Sequence, residues 1–243
     1  MAELYLSGVI DLLVKIRDEQ MKSILKAADM VAETISSGRW VHVFGTGHSH
    51  MIADEASGRA GGLAPFNAMI DLSLSGYSGT VKSSLLEKRE GYGRIVLDSE
   101  QVRKGDVMIV VSNSGVNAAP VEVAIESKKR GLKVIAVTSV AHSKSVPPRN
   151  SAGKKLYEVA DVTIDNCGEV GDALVKFQSM EQRVGPTSTV SGAAILNAII
   201  AQVAQSMIAK GVKPPVWMSG NVLGSESHNL NLMQKYRRTD RLP

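Results

Sequence analysis

The run Val107-Met108-Ile109-Val110-Val111 passes without a break into Ser112-Asn113-Ser114-Gly115-Val116-Asn117 and then into a stretch with helical spacing. Four consecutive apolar residues, Met108 to Val111, suit a strand buried on both faces, as in a parallel sheet covered by helices. Gly115 allows a sharp turn and a close approach of backbone to a ligand. Beyond it, Val121, Ala124 and Ile125 fall on one face of a helix expected over Ala118 to Arg130. A helix start carries unpaired N–H groups and a partial positive charge, so this turn is suited to an anion such as phosphate. Ser112, Ser114 and Asn117 add uncharged donors. The plainer reading is a polar turn with a helix cap.

A second unit of the same kind precedes it. Trp40-Val41-His42-Val43-Phe44 reads as a strand that runs into Gly45-Thr46-Gly47-His48-Ser49-His50 and a helical stretch from Met51 to Ala60. In a parallel sheet both loops emerge at the carboxyl ends of their strands and can converge on one ligand at a topological switch point. Gly45-x-Gly47 is half of a dinucleotide fingerprint, with Asp71 in the place of the ribose-binding acid, but that reading leaves the serine loop unexplained. No Gly-Lys-Ser or Gly-Lys-Thr sequence of a Walker loop occurs.

Strands are expected near 40–44, 67–72, 107–111, 133–138 and 162–165, with helices near 50–60, 80–89, 118–130 and 188–209. This alternation predicts a doubly wound, mostly parallel α/β sheet. Leu4 to Ser36 is a helix candidate whose apolar stripe falters near Asp18 to Gln20, and Val146 to Ser151 reads as a mobile loop. The 243 residues, 44% hydrophobic and 21% charged, suit one soluble domain. Three parts are expected: an N-terminal helical segment (1–37), the α/β domain (38–210) and a C-terminal tail (211–243) packing on the domain or on a neighbouring subunit.

The lone Cys167 excludes an internal disulfide framework and reads as a packing residue in a reducing compartment. Neither a signal peptide nor an apolar run of membrane-spanning length is read, which places the chain in the cytoplasm, away from membranes. The net charge of +4 has local sources in Lys128-Lys129-Arg130 and Lys235-Tyr236-Arg237-Arg238. The first ends a predicted helix, where cations complement the dipole, and neither carries the aromatic interleaving of a nucleic-acid motif. No nucleic-acid partner is expected.

Phe44-Gly45-Thr46-Gly47-His48-Ser49, Val111-Ser112-Asn113-Ser114-Gly115-Val116-Asn117 and Ile135-Ala136-Val137-Thr138-Ser139, in this order, resemble the sugar isomerase (SIS) domain over residues 38–210. The resemblance implies a flavodoxin-like sheet of five strands, a homodimer or homotetramer, and a phosphorylated sugar held by hydroxyls and backbone amides. The implied contacts are Ser112, Asn113 through its backbone, Ser114 and Asn117, with Ser49 and Thr138 facing the same ligand. Gly185-Pro186-Thr187-Ser188 is similar to the entry to the last SIS helix, which makes Ser188 either a ligand contact or a cap.

Within the family, Asp54-Glu55-Ala56-Ser57-Gly58-Arg59 resembles a stretch of phosphoheptose isomerases that carries a catalytic glutamate. Glu55 is thereby the leading proton-transfer base, and its plainer reading is an ion pair with Arg59. His48 can donate from the first loop. Some SIS isomerases bring a histidine or glutamate over the sugar from a neighbouring subunit, a role open to Glu226 or His228 in the tail. The last helix, Ser188 to Ile208, contains no histidine where the isomerase supplies one to a metal. No cofactor or metal ligand is therefore assigned, and His48, His50 and Asp54 are the spacing-based alternative for a divalent ion. His42 reads as a core residue and His142 as a neighbour of the loop. The expected activity is aldose–ketose isomerisation of a sugar phosphate. The alternatives are a non-catalytic sugar-phosphate sensor and an etherase or deaminase acting on an N-acetylamino-sugar phosphate.

Overall fold

The computed structural model describes residues 1–77 and 79–236; Arg237 and Arg238 of the C-terminal basic cluster lie outside them. In chain order the elements begin with α1 (Ala2–Ser36), β1 (Val41–Gly45), a 3₁₀ turn (Gly47–Ser49) and α2 (His50–Ala56). They continue with β2 (Phe66–Met69), α3 (Thr80–Glu87), α4 (Tyr92–Asp98), β3 (Val107–Val111), α5 (Ala118–Lys129) and β4 (Lys133–Thr138). The remaining elements are α6 (Val140–Ser145), α7 (Leu156–Val159), β5 (Val162–Asp165), the short pair β6 (Val175–Lys176) and β7 (Arg183–Val184), α8 (Ser188–Ala209) and α9 (Ser225–Lys235).

Strands β1 to β5 form one sheet in the order β2-β1-β3-β4-β5, with every pairing parallel. This is the flavodoxin-like order, whose switch point lies between β1 and β3 because the chain leaves them toward opposite edges. Gly45 pairs with Val111 at the end of the ladder, so the two glycine loops start side by side.

Both faces of the sheet are covered, which is why β1 and β3 are buried along their whole length. On one face Val41, Val43, Val107, Ile109 and Val111 pack with α1, α2 and α8; on the other Phe44, Met108 and Val110 pack with α4, α5 and α7.

Helix α1 runs unbroken through Asp18 to Gln20, where the apolar pattern falters. The polar residue there has a tertiary use: Gln20 Oε1 accepts from the amide of Asp165 at the end of β5, at 3.1 Å. Helix α8 reaches a mean hydropathy of 1.5 in its most apolar window, long and apolar enough to cross a membrane by composition. The sequence expectation that no run approaches such a length is amended accordingly. Here α8 packs against α1 and α2 as a core helix.

The segment Val146 to Ser151 has no regular structure, yet it is tied down. The Arg149 amide donates to Val116 O at 2.8 Å, Asn150 Nδ2 donates to the same oxygen at 2.9 Å, and Ser151 donates through N and Oγ to Glu90. Basic residues in the 128–130 cluster are engaged in ion pairs: Lys128 with Asp161, Lys129 with Glu126 and Arg130 with Asp98.

Candidate functional site

At the carboxyl ends of the strands, the β1 loop, the β3 loop, the residues after β5 and the start of α8 line one small cleft. Ser49, Ile52, Asn113, Asn166, Ser188 and Thr189 form its walls. The backbone makes this closeness workable. A Cβ on Gly45 would lie 2.3 Å from Ser49 O, so only glycine lets the first loop fold back on its own strand. Gly115 sits at φ +60°, and a Cβ there would meet Thr138 Oγ1 at 2.9 Å.

The polar side chains divide into those that shape the loops and those left unengaged. Ser112 is buried and its Oγ accepts from the Gly115 amide at 3.2 Å, closing the turn. The Asn113 carbonyl accepts from Thr138 Oγ1 at 3.2 Å and from the Ser139 amide at 3.0 Å, which fixes the second loop to the end of β4. Asn113 Oδ1 accepts from Asn166 Nδ2 at 2.8 Å. By contrast, among the described residues no side chain or amide bonds the hydroxyl of Ser49 or Ser114. Asn117, the residue before α5, gives no side-chain cap to its helix, and its Oδ1 is buried without a partner. A buried polar atom left unmet is costly, and a ligand that meets it is favoured.

Ser188 is engaged from within the chain. Asp172, held at φ +56° in the loop before β6, accepts from the amides of Thr187 and Ser188 at 3.1 and 2.8 Å and from the Ser188 hydroxyl. The α8 start is thus capped by a resident carboxylate, and the loop bearing it is also held by the Gly171 amide donating to His142 Nδ1 at 3.1 Å.

The three residues expected to do chemistry stand apart within one chain. Glu55 accepts from Arg59 and, at 2.8 Å, from Asn197 Nδ2. Thr189 and Asn197 are about 12 Å apart along the α8 axis, which puts Glu55 deeper along α2 than the cleft. Burial pushes the Glu55 carboxyl up, but the bonds from Arg59 and Asn197 and the Arg59 charge outweigh it and hold the group below its ordinary value. His48 is exposed on the 3₁₀ turn. His228 bonds through Nε2 to Val216 O at 2.8 Å, and Val216 pairs with Leu63 just before β2 begins. That is the amino end of the sheet, opposite the cleft.

His50 is buried with Nδ1 directed to Gly47 O, and its Nε2 lies 3.7 Å from Asp54. Among the described residues no group of three or more His, Cys, Asp or Glu side chains is gathered as metal ligands. His42 is fully buried between Asp106 (3.1 Å) and Asn67 (3.1 Å) as a core residue. Burial and the neighbouring Asp165 charge push the Cys167 thiol up to about 11, so it stays protonated and unreactive at neutral pH. The sequence reading missed Asn166, whose signal is its place as the first residue past β5; Asp172 reaches the α8 start only through the fold.

The SIS domain sequence profile matches residues 4–139, which run from α1 through the serine loop at the β3–α5 junction to the end of β4. The chain belongs to the SIS domain family. The match starts within α1. A UPF0309 protein of Caldanaerobacter subterraneus subsp. tengcongensis is 42% identical over 241 residues, 98% of each chain. The SIS chain also superimposes on a phosphoheptose isomerase from Francisella tularensis with a TM-score of 0.56 at 16% identity, covering 84% of this chain and 96% of that one. The Vibrio vulnificus NanR protein complexed with ManNAc-6P gives a TM-score of 0.51 at 12% identity, covering 86% of this chain and 64% of that one.

Proposed function

We propose that this chain binds a phosphorylated sugar in the crevice between the β1 and β3 loops, with the phosphate at the start of α5. The reading is carried by the β3 loop: a Ser114 hydroxyl with no partner among the described residues stands at a helix start that favours an anion, and the buried, unmet Asn117 Oδ1, an acceptor, suits a donor group of the ligand beside that anion. Ser112 and Thr138 hold this loop in shape, and Ser49 adds a hydroxyl from the first loop. The NanR complex with ManNAc-6P supports the ligand class. A thermal-shift panel of fructose 6-phosphate, glucosamine 6-phosphate, N-acetylmannosamine 6-phosphate and a heptose phosphate, each beside its unphosphorylated counterpart and with or without chelator, tests it. Stabilisation by a phosphorylated member alone is the expected result.

Aldose–ketose isomerisation is the second reading, supported by the likeness in fold to phosphoheptose isomerase and by Glu55, a carboxylate kept ionised by Arg59. A base removes the proton from the carbon beside the carbonyl and returns one to the neighbouring carbon. Glu55 acts there only if sugar reaches past the cleft along α2, with His48 from the first loop and His228 arriving from a neighbouring subunit. Incorporation of solvent deuterium into a carbon-bound position supports it; tight binding without exchange or isomer favours a sensor, and release of lactate or ammonia an etherase or deaminase.

The partner in that assembly is a second copy of the chain. Leu6, Ile10, Val14 and Met21 are exposed along one face of α1, from 39 to 61%, with the charged Arg17 between the last two. A homodimer or homotetramer buries this face.

A further inference from the structure

The hydroxyls of Ser49 and Ser114 and the amides of the α5 start offer donors, which suit a phosphate, while the buried Asn117 Oδ1 beside them is an acceptor. The carbon skeleton of a sugar presents hydroxyls, whose protons need acceptors. Glu87 supplies one. It is the last residue of α3, which packs against both the 3₁₀ turn of the first loop and α5, so it stands at the switch point where the two loops meet. Its Oε1 accepts from Thr46 Oγ1 at 2.8 Å, and Thr46 is buried immediately after Gly45, the residue paired with Val111. No donor among the described residues reaches its Oε2.

A carboxylate at the carbonyl end of a helix opposes the macrodipole, which Lys88 at the C-cap and Arg89 beyond it offset, and the bond from Thr46 turns Glu87 toward the first loop. Asp71, between the Ser73 amide and the Tyr92 hydroxyl, and Asp172, at the α8 start, use both oxygens, whereas Asp165 takes the amides of Val140 and Cys167 on Oδ1 alone, at the far side of the sheet from Thr46.

We propose that Glu87, held by Thr46, is the sugar-recognising carboxylate of the crevice: its unengaged oxygen accepts from a hydroxyl or amino group of a phosphorylated sugar whose phosphate lies at the α5 start. This rests on the phosphosugar reading above and adds to it a division of the crevice into a phosphate end and a sugar end.

Calorimetric titration with inorganic phosphate, fructose 6-phosphate and glucosamine 6-phosphate tests the division in the wild-type chain and in Glu87→Ala and Glu87→Gln. Glu87→Ala is expected to weaken the tighter hexose phosphate by about tenfold, the worth of one hydrogen bond to a charged group, while phosphate binds as before or more tightly because a negative charge has gone. Glu87→Gln keeps an acceptor for Thr46 and loses the charge; it is expected to fold as the wild type and to show the same selective loss at smaller size. Equal weakening of phosphate and hexose phosphate in Glu87→Ala, or full hexose-phosphate affinity in Glu87→Gln, overturns the proposal and leaves Glu87 as a clip on the first loop. Wild-type protein that binds phosphate and both sugars equally also overturns it while the anion site stands. Binding of none of them by the wild-type chain removes the phosphosugar reading and the proposal with it.

Discussion

At Gly115 the backbone runs at φ +60° while Thr138 Oγ1 and Leu156 Cβ stand 2.9 and 3.2 Å from where a Cβ would be. Gly115→Ala therefore costs strain and space together, about 1–2 kcal/mol, and is expected to lower the melting temperature by about 2–8 °C and to weaken phosphate binding with it. Unchanged melting would mean that the turn relaxes freely. At the amino end of the sheet, Asp106 accepts from His42 Nε2, the Trp40 amide and the Arg103 amide. Burial pushes its carboxyl up, and these bonds outweigh that and hold it below the ordinary value. A depressed folded-state pKa gives stability that is fully present above the unfolded value, about 4, and is lost as pH falls through the folded one. Urea melts of Asp106→Asn are expected to show a loss of roughly 3 kcal/mol at pH 7 and a shallower decline than wild type into acid; parallel acid limbs would exclude Asp106 as their source. Residues of the serine loop were legible because the strand, the glycine and the helix that define them are contiguous. Glu87 and Asp172 were not, since each finds its partner across a long separation that only the topology closes.

The starts of α5 and α8 both lie at the carboxyl end of the sheet and are treated oppositely. The first is left with Ser114 and Asn117 unengaged, the second is closed by Asp172. Asp172→Ala is expected to cost about 1 kcal/mol, the worth of a helix cap, read as a lower urea midpoint, and to free the Ser188 hydroxyl toward the cleft. No change in midpoint would show that solvent caps α8 as well. Sequence periodicity located the five strands to within a few residues because burial on both faces makes the inner strands β3 and β4 dense apolar runs, while the edge strand β5 alternates. It missed α4, α6 and α7, which span two turns or fewer, and the two-residue strands β6 and β7, too short for any period to register. Helix α9 was read as a polar tail because its apolar residues, Leu230 and Met233, remain exposed. The apparent break in α1 was Gln20, a polar residue placed for a bond to the end of β5.

For the molecule as a whole, the doubly wound sheet fixes where a ligand is held, and the surface of α1 suggests how copies meet. The second half of α1 is buried against α8 and the sheet, while Leu6, Ile10 and Val14 in its first half are exposed. Light scattering behind size exclusion is expected to give a dimer or tetramer, and Ile10→Glu with Val14→Glu to give a smaller species that still melts cooperatively. A wild-type monomer at high concentration would leave His228 without a route to any site. The claim on which the rest depends is phosphate-dependent sugar binding at the α5 start, and the melting temperature of wild type and of the triple variant Ser112→Ala, Ser114→Ala, Asn117→Ala against the sugar-phosphate panel tests it most directly. At a concentration one hundred times the dissociation constant, a bound sugar phosphate stabilises by about 2.7 kcal/mol, a rise of about 5–10 °C. The account predicts that rise in the wild type for at least one phosphorylated sugar, none for its unphosphorylated counterpart, and its loss in the variant; no rise with any sugar phosphate, or an equal rise in the variant, would contradict it.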